Sequence, residues 1–224
     1  MITYDPSQPT VLRVDPDSTE EVLAALAAQR PVDGSDQVDA EVLGMFATVL
    51  SAPRGALRLE SVGAEHYVAH EFTLAAQGSL RVTRGRDELV EIGLFPTQLF
   101  SGVLLRLLQL APVEPLPAEV RVTLPAGLLD EVLTENRAAR TAPLATLQEV
   151  GASLPPPRDA RLEQAPLRVH RLVRRDDAGD RTAQLVMLRG RYLRVESGAF
   201  GTALVGTDPT GGHRVMSDLL NPRR

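Results

Sequence analysis

The sequence has no cysteine, no tryptophan and no lysine; all 24 of its basic residues are arginine. Without cysteine there are no disulfides, no thiolate nucleophile and no Cys-ligated zinc. Without lysine there is no phosphate-loop lysine, no Schiff-base lysine and no Ser-Lys dyad. The longest apolar run, near Gly102 to Leu110, is broken by Arg106 and is too short to span a bilayer. No basic segment followed by an apolar run opens the sequence, so no signal peptide is expected. Glycines do not form a GxGxxG or GxxxxGK[ST] loop, no serine sits in a Gly-x-Ser-x-Gly elbow, and HExxH is absent.

What remains is ordinary soluble-domain chemistry. Of 224 residues, 43% are hydrophobic and 24% charged, with a net charge of −5. A general nucleic-acid binder is expected to be basic. The charge is uneven. Residues 1–160 hold 12 Arg against 22 Asp and Glu, and residues 161–224 hold 12 Arg against 7. The two parts carry opposite sign, which suits docking of one on the other or a basic face toward an acidic partner.

Residues 1–17 read as extended and polar. Ser18 with Glu21 forms a capping box, and Val22, Leu23 and Leu26 give a helical stripe ending near Arg30-Pro31. A second helix is predicted over Asp39 to Leu50, with Val42, Met45, Phe46 and Val49 on one face. The period then changes to two. Leu57 and Leu59, then Val68, Phe72 and Leu74, then Leu80 and Val82, then Leu89, Val90 and Ile92 read as four strands. Short turns between them, including Arg84-Gly85-Arg86, predict an antiparallel meander. A closing helix over Thr97 to Leu110 is expected to bury Leu99, Phe100, Val103, Leu104, Leu107 and Leu108. Its leucines cover more than one stripe, so it is buried on two sides or meets a partner; burial is favoured.

A proline-rich joint, residues 111–118, leads into a strand carrying Val120, Val122 and Leu124. Helices follow over Pro125 to Ala138 and Pro143 to Val150, then a linker around Pro155 to Pro157. Strands return at Leu167 to Arg175, Thr182 to Arg189, Arg191 to Glu196 and Phe200 to Gly206, and a last helix covers Asp208 to Leu220. The fold class expected is α+β: a tandem pseudo-two-fold repeat of helix pair, antiparallel four-stranded meander and closing helix. An offset of 105 residues lays Arg84-Gly85-Arg86 on Arg189-Gly190-Arg191. The expected segments are 1–17, an extended N-terminal stretch; 18–110, the first repeat; 111–124, the joint and its strand; and 125–224, the second repeat.

Few constellations offer chemistry. His66 and His70 in HYVAH are two strand turns apart and would share a face, but without a metal-ligand pattern. His213 follows Gly211-Gly212 near a helix start, where the bland reading is an irregular first turn. Asp176, Asp177 and Asp180 lie in an expected hairpin tip and lack the spacing of a calcium loop. No catalytic residue, cofactor or metal site is assigned. The basic strand from Arg168 to Arg175 places Arg168, His170 and Arg174 on one face. Three readings stand for it: nucleic-acid binding, contact with a protein partner, and a solvated or internally paired face. The acidic total and the lack of stacking aromatics count against the first. With Tyr192 and Arg194, these residues make the expected partner-binding set: Arg168, His170, Arg174, Tyr192 and Arg194.

The run SLRVTRGRDELVEIGL from Ser79 to Leu94, the helix ending LLRLLQL and the Pro-rich joint before VRVTLPAGLLDEVL together resemble the EspG family. The ending GRYLRVESGAFGTALVGTDP with LLNP is similar to that family's C-terminal hairpin and closing helix. These proteins are chaperones of the ESX, or type VII, secretion systems of mycobacteria and relatives. The resemblance covers about Ser18 to Leu220 and rests on hydrophobic pattern and element order. It implies a cytoplasmic, non-enzymatic protein with a pseudo-two-fold α/β fold and a central antiparallel sheet. Its partner would be the apolar tip of a helical PPE-type substrate, kept soluble until secretion, with no nucleic acid and no membrane, the chain being a monomer or homodimer. The alternative is a type III secretion chaperone-like or YbjN-like module serving a different client. A small-molecule enzyme would need a deep pocket with convergent polar groups.

Overall fold

The computed structural model describes residues 2–85, 88–111, 113–176, 179–198 and 201–220. Arg86 of the expected hairpin, Asp177 of the acidic tip and Phe200 of the last strand lie outside them.

The elements run β1 (Ile2–Tyr4), β2 (Val11–Val14), α1 (Thr19–Ala27), α2 (Ala40–Ser51), β3 (Gly55–Gly63), β4 (Tyr67–Leu74), β5 (Ser79–Arg84), β6 (Val90–Phe95) and α3 (Phe100–Leu108). Then come β7 (Arg121–Thr123), α4 (Leu128–Val132), α5 (Arg137–Ala152), β8 (Arg168–Asp176), β9 (Gly179–Leu188), β10 (Arg191–Gly198), β11 (Gly201–Thr207) and α6 (Pro209–Ser217). The class is mixed α+β, with an 11-stranded sheet ordered β1-β2-β6-β5-β4-β3-β8-β9-β10-β11-β7. The chain divides into two units, the first made of Met1–Leu59, Val68–Leu104 and Arg174–Asp180, the second of Glu60–Tyr67, Leu105–Val173 and Arg181–Arg224.

In the first unit the N-terminal stretch forms two paired strands. β1 pairs antiparallel with β2, and β2 with β6, placing Leu12 opposite Ile92 and Val14 opposite Val90. Alternation sends Leu12, Val14, Leu80, Val82, Val90 and Ile92 to one face, where α1 and α2 bury Val22, Leu26, Val42, Phe46 and Val49 against them. Phe46 is fully enclosed; truncation to Ala is expected to cost about 3–5 kcal/mol. Three of the five phenylalanines gather elsewhere in this unit: Phe72 meets Phe100 edge-on at 5.0 Å, and Phe95 stacks on Phe100 at 6.1 Å. Thr97 fixes this corner, its hydroxyl donating to the Ala75 carbonyl at 3.0 Å.

Several expectations change here. The capping box is not formed: Ser18 makes no side-chain cap bond. A 3-10 turn over Pro16–Ser18 precedes α1, and Asp15 caps it by accepting from Asp17 N. The closing helix starts late, because Thr97–Leu99 is a 3-10 turn that leaves Leu99 57% exposed rather than buried. His66 lies in the turn before β4, so it shares no strand face with His70, which is buried and bonded to the Thr83 hydroxyl at 3.0 Å.

In the second unit the sheet is covered on both faces. A Cβ on Gly151 of α5 would touch Leu188, and one on Gly212 of α6 would touch Leu185. Leu185 and Leu188 have opposite parity on β9, so α5 and α6 lie on opposite sides. The helix pair differs from expectation. α4 is a single short stretch, and α5 begins at Arg137, well before Pro143, because Asn136 accepts from the Ala138 and Ala139 amides at 3.0 and 3.2 Å.

The proline-rich joint is a pinned strap. The Ala111 amide donates to the Tyr192 hydroxyl at 3.0 Å, and buried Arg191 donates to the carbonyls of Glu114 and Pro156 at 3.1 and 3.0 Å. Gly206 lets the strap pass, since a Cβ there would lie 2.1 Å from the Pro117 carbonyl oxygen. The two Arg-Gly turns are not equivalent by element. Arg84-Gly85 joins β5 to β6, whereas Arg189-Gly190, both with positive φ as a type I′ turn requires, joins β9 to β10. The offset of 105 therefore maps the third turn of one meander onto the second turn of the other. Among the described residues no helix is long and apolar enough to cross a membrane.

Candidate functional site

α2 is amphipathic in an unusual way. Val42, Phe46 and Val49 face the core, while the opposite stripe is Glu41, Gly44, Met45 and Thr48. Asp39 caps the helix by accepting from the Glu41 amide at 2.7 Å. Along this outer stripe lies a groove of about 620 Å³ whose far wall is Gln77, Gly78, Leu94, Phe95 and Pro96. A second hollow of about 390 Å³ continues it over Leu43 and Ala40 toward Pro31. Gln29 and Gly44 line both. Gln29 holds φ at +53° because it ends α1: the Arg30 amide reaches back to the Ala25 carbonyl at 2.8 Å, the closure of a Schellman turn.

The groove's exposed surface is mainly apolar, with Thr10, Gln29, Thr48 and Gln77 among its lining residues. It is lined by a single carboxylate, Glu41, and by no histidine. Acid–base catalysis needs paired titratable groups converging on one point; this lining brings one carboxylate. Met45 is 42% exposed within it. Its flexible thioether suits a surface that adapts to what it meets.

The five residues expected to bind a partner lie elsewhere. Arg168 is half-buried on β8. His170 is buried, with Nδ1 at 2.9 Å from the Ser61 hydroxyl. Arg174 is half-buried and engaged. Tyr192 is buried and holds the strap through its hydroxyl. Arg194 is half-buried and pairs with Glu196 at 2.6 Å. Cross-strand pairing sets Tyr192 opposite Met187 and Arg194 opposite Leu185, so these two share the face under α6.

Sequence reasoning missed a buried ion network in the second unit. Glu60 accepts from the Tyr67 hydroxyl at 2.8 Å and from Arg171 Nε at 2.6 Å, while Arg171 also reaches Asp130 at 2.7 Å. Glu60 occupies a position that alternation alone assigns to a solvated face; no local signal marks it as buried. Met45, expected on the apolar face with Val42, Phe46 and Val49, is exposed instead; the one readable sign of the groove is Gly44 inside a predicted helix. The two Ser–His contacts, Ser61 with His170 and Ser217 with His213 at 3.1 Å, border neither hollow. No group of three or more potential metal ligands occurs among the described residues.

No protein-family model matches the sequence, and no curated protein matches it. Solved structures do. The fold is similar to that of the Mycobacterium tuberculosis type VII secretion system chaperone EspG5, determined in complex with the PE25-PPE41 dimer. The likeness covers 94% of this chain and 96% of that one, with a TM-score of 0.54 and 14% identity. At that identity it is a likeness of fold.

Proposed function

We propose that this protein is a non-enzymatic, cytoplasmic chaperone or adaptor that binds a helical secretion substrate of PPE type and keeps it soluble. The observation that carries the reading is the mutual coverage: nearly the whole of each chain takes part in the likeness to a chaperone solved with its client. Shared architecture over that extent, rather than over one common motif, supports a shared kind of task. The apolar groove and its lone carboxylate support binding over catalysis. The recurrence of helix pair, four strands and closing helix in the two halves supports their origin as a tandem pseudo-two-fold repeat.

Arg168 and Arg194 are the guanidinium groups proposed to orient the client, apolar contacts carrying the affinity. His170 and Tyr192, both buried, would hold the strands that present them.

Co-expression with each PE–PPE pair encoded in the same genome tests the reading. A complex that stays intact on size exclusion and keeps the PPE-type protein soluble is expected. If every pair remains insoluble or elutes apart from this protein, the reading is wrong. Arg168→Glu is expected to weaken the complex without changing the melting temperature; undiminished binding would move the contact elsewhere.

A further inference from the structure

The segment that follows α5 carries three consecutive prolines, Leu154-Pro155-Pro156-Pro157-Arg158, and nothing in the proposed function uses it. Each proline fixes φ near about −65°. Leu154, Pro155 and Pro156 each precede a proline, which holds them extended. The segment is thereby set to polyproline II, a helix that repeats every ~3 residues. Burial repeats at the same interval. Leu154 and Pro157 are buried, whereas Pro155 and Pro156, then Arg158 and Asp159, are exposed. One edge of a three-sided helix lies on the protein and the other two face outward.

The segment is also fixed in place. The Leu154 amide donates to the Gly151 carbonyl at 3.1 Å, and the prolines have no N–H to satisfy. Buried Arg191 donates to the Pro156 carbonyl at 3.0 Å. Beyond the prolines, Glu114 accepts from the Arg158 amide at 3.3 Å and lies 3.2 Å from its Nε, yet the Arg158 side chain is 92% exposed. A segment ordered beforehand loses little conformational freedom when it binds. Aromatic-lined grooves read polyproline II on that basis.

We infer that Pro155, Pro156 and Arg158 form a docking edge for a protein partner whose groove is lined by aromatic rings, with a carboxylate at the end that meets Arg158. The occupant is a different protein, not a second copy. The chain has no tryptophan, and among the described residues every tyrosine and phenylalanine is buried or half-buried. The edge stands whether or not the client reading holds.

The test uses the full chain and an isolated WW domain chosen for saturable binding of the free peptide SLPPPRDA, the sequence of residues 153–160. Because the chain has no tryptophan, the domain's own tryptophan fluorescence reports the binding. The full chain is expected to saturate the domain at least as tightly as the peptide does. Pro155→Ala with Pro156→Ala is expected to weaken binding at least about tenfold. Arg158→Gln is expected to weaken it and to reduce its sensitivity to salt. The circular dichroism spectrum is expected to stay unchanged in both variants. Arg168→Glu is expected to leave this binding intact, which separates failure of the client reading from failure of this one. Binding of the peptide but not of the full chain would overturn the proposal, because the fold would then hide the edge. Undiminished binding by either variant would overturn it as well.

Discussion

Arg171 Nε lies 2.6 Å from Glu60 Oε2, and the Tyr67 hydroxyl holds the other carboxylate oxygen at 2.8 Å. The glutamate side chain is 7% exposed and the arginine 21%. A buried pair contributes little against an apolar alternative, but losing one partner strands the other. Glu60→Ala is therefore expected to destabilise the fold by about 3–5 kcal/mol in denaturant titration. Glu60→Leu combined with Arg171→Met is expected to recover a large part of that loss. Equal destabilisation by the single and double variants would show that the pair is not coupled.

Gly206 is expected to tolerate no side chain. A Cβ would meet carbonyl oxygens of Pro117 and Leu116 at 2.1 and 2.7 Å, both backbone atoms that cannot rotate aside. Gly206→Ala should cost about 1–3 kcal/mol. It should also raise hydrogen exchange at the Leu116 amide, which donates to the Thr207 carbonyl at 3.4 Å. Unchanged exchange there would show that the strap is held by its other contacts alone.

Gln29 holds a left-handed conformation that a side chain disfavours by about 1–2 kcal/mol. Gln29→Gly is expected to raise stability by up to about 1 kcal/mol, read as a higher denaturation midpoint at constant slope. A lowered midpoint would mean that the amide contributes more than the strain removes.

How much of this was legible beforehand depends on which contacts make each element. α1 and α2 follow from local apolar spacing, and structure and expectation differ at their ends by a few residues. The meander strands follow from alternation. Residues 1–17 read only as extended and polar, because β1 and β2 are very short and are fixed by pairing, through β2, with β6, nearly 80 residues away. A helix is expected from Pro143, yet the Asn136 cap starts α5 earlier and the helix runs through that proline. The five proposed partner residues were chosen by charge and strand parity. Those cues do not reveal that α6 and the strap cover Leu185 and Tyr192.

Glu196 gives a pH-dependent readout. A hydrogen bond from Arg121, joined by the charges of Arg121 and Arg194, holds its carboxyl below the ordinary glutamate range. A carboxyl lowered in the folded state stabilises that state above its unfolded value and loses the contribution as pH falls through the folded value. Carbon-detected NMR titration is expected to show Glu196 protonating at lower pH than Glu in a model peptide. Arg121→Gln is expected to move it back upward; an unmoved titration would assign the lowering to Arg194.

The strap has a consequence for how the chain is made. Its anchors, Tyr192, Arg191 and Gly206, lie some 80 to 90 residues downstream of the segment they hold, and β7 pairs with β11 at similar separation. During vectorial synthesis the ribosome must therefore release the proline-rich segment, β7 and the following helices long before their partners emerge. The second unit closes only once β10 and β11 have emerged, while β1, β2, β4, β5 and β6 already have their mates.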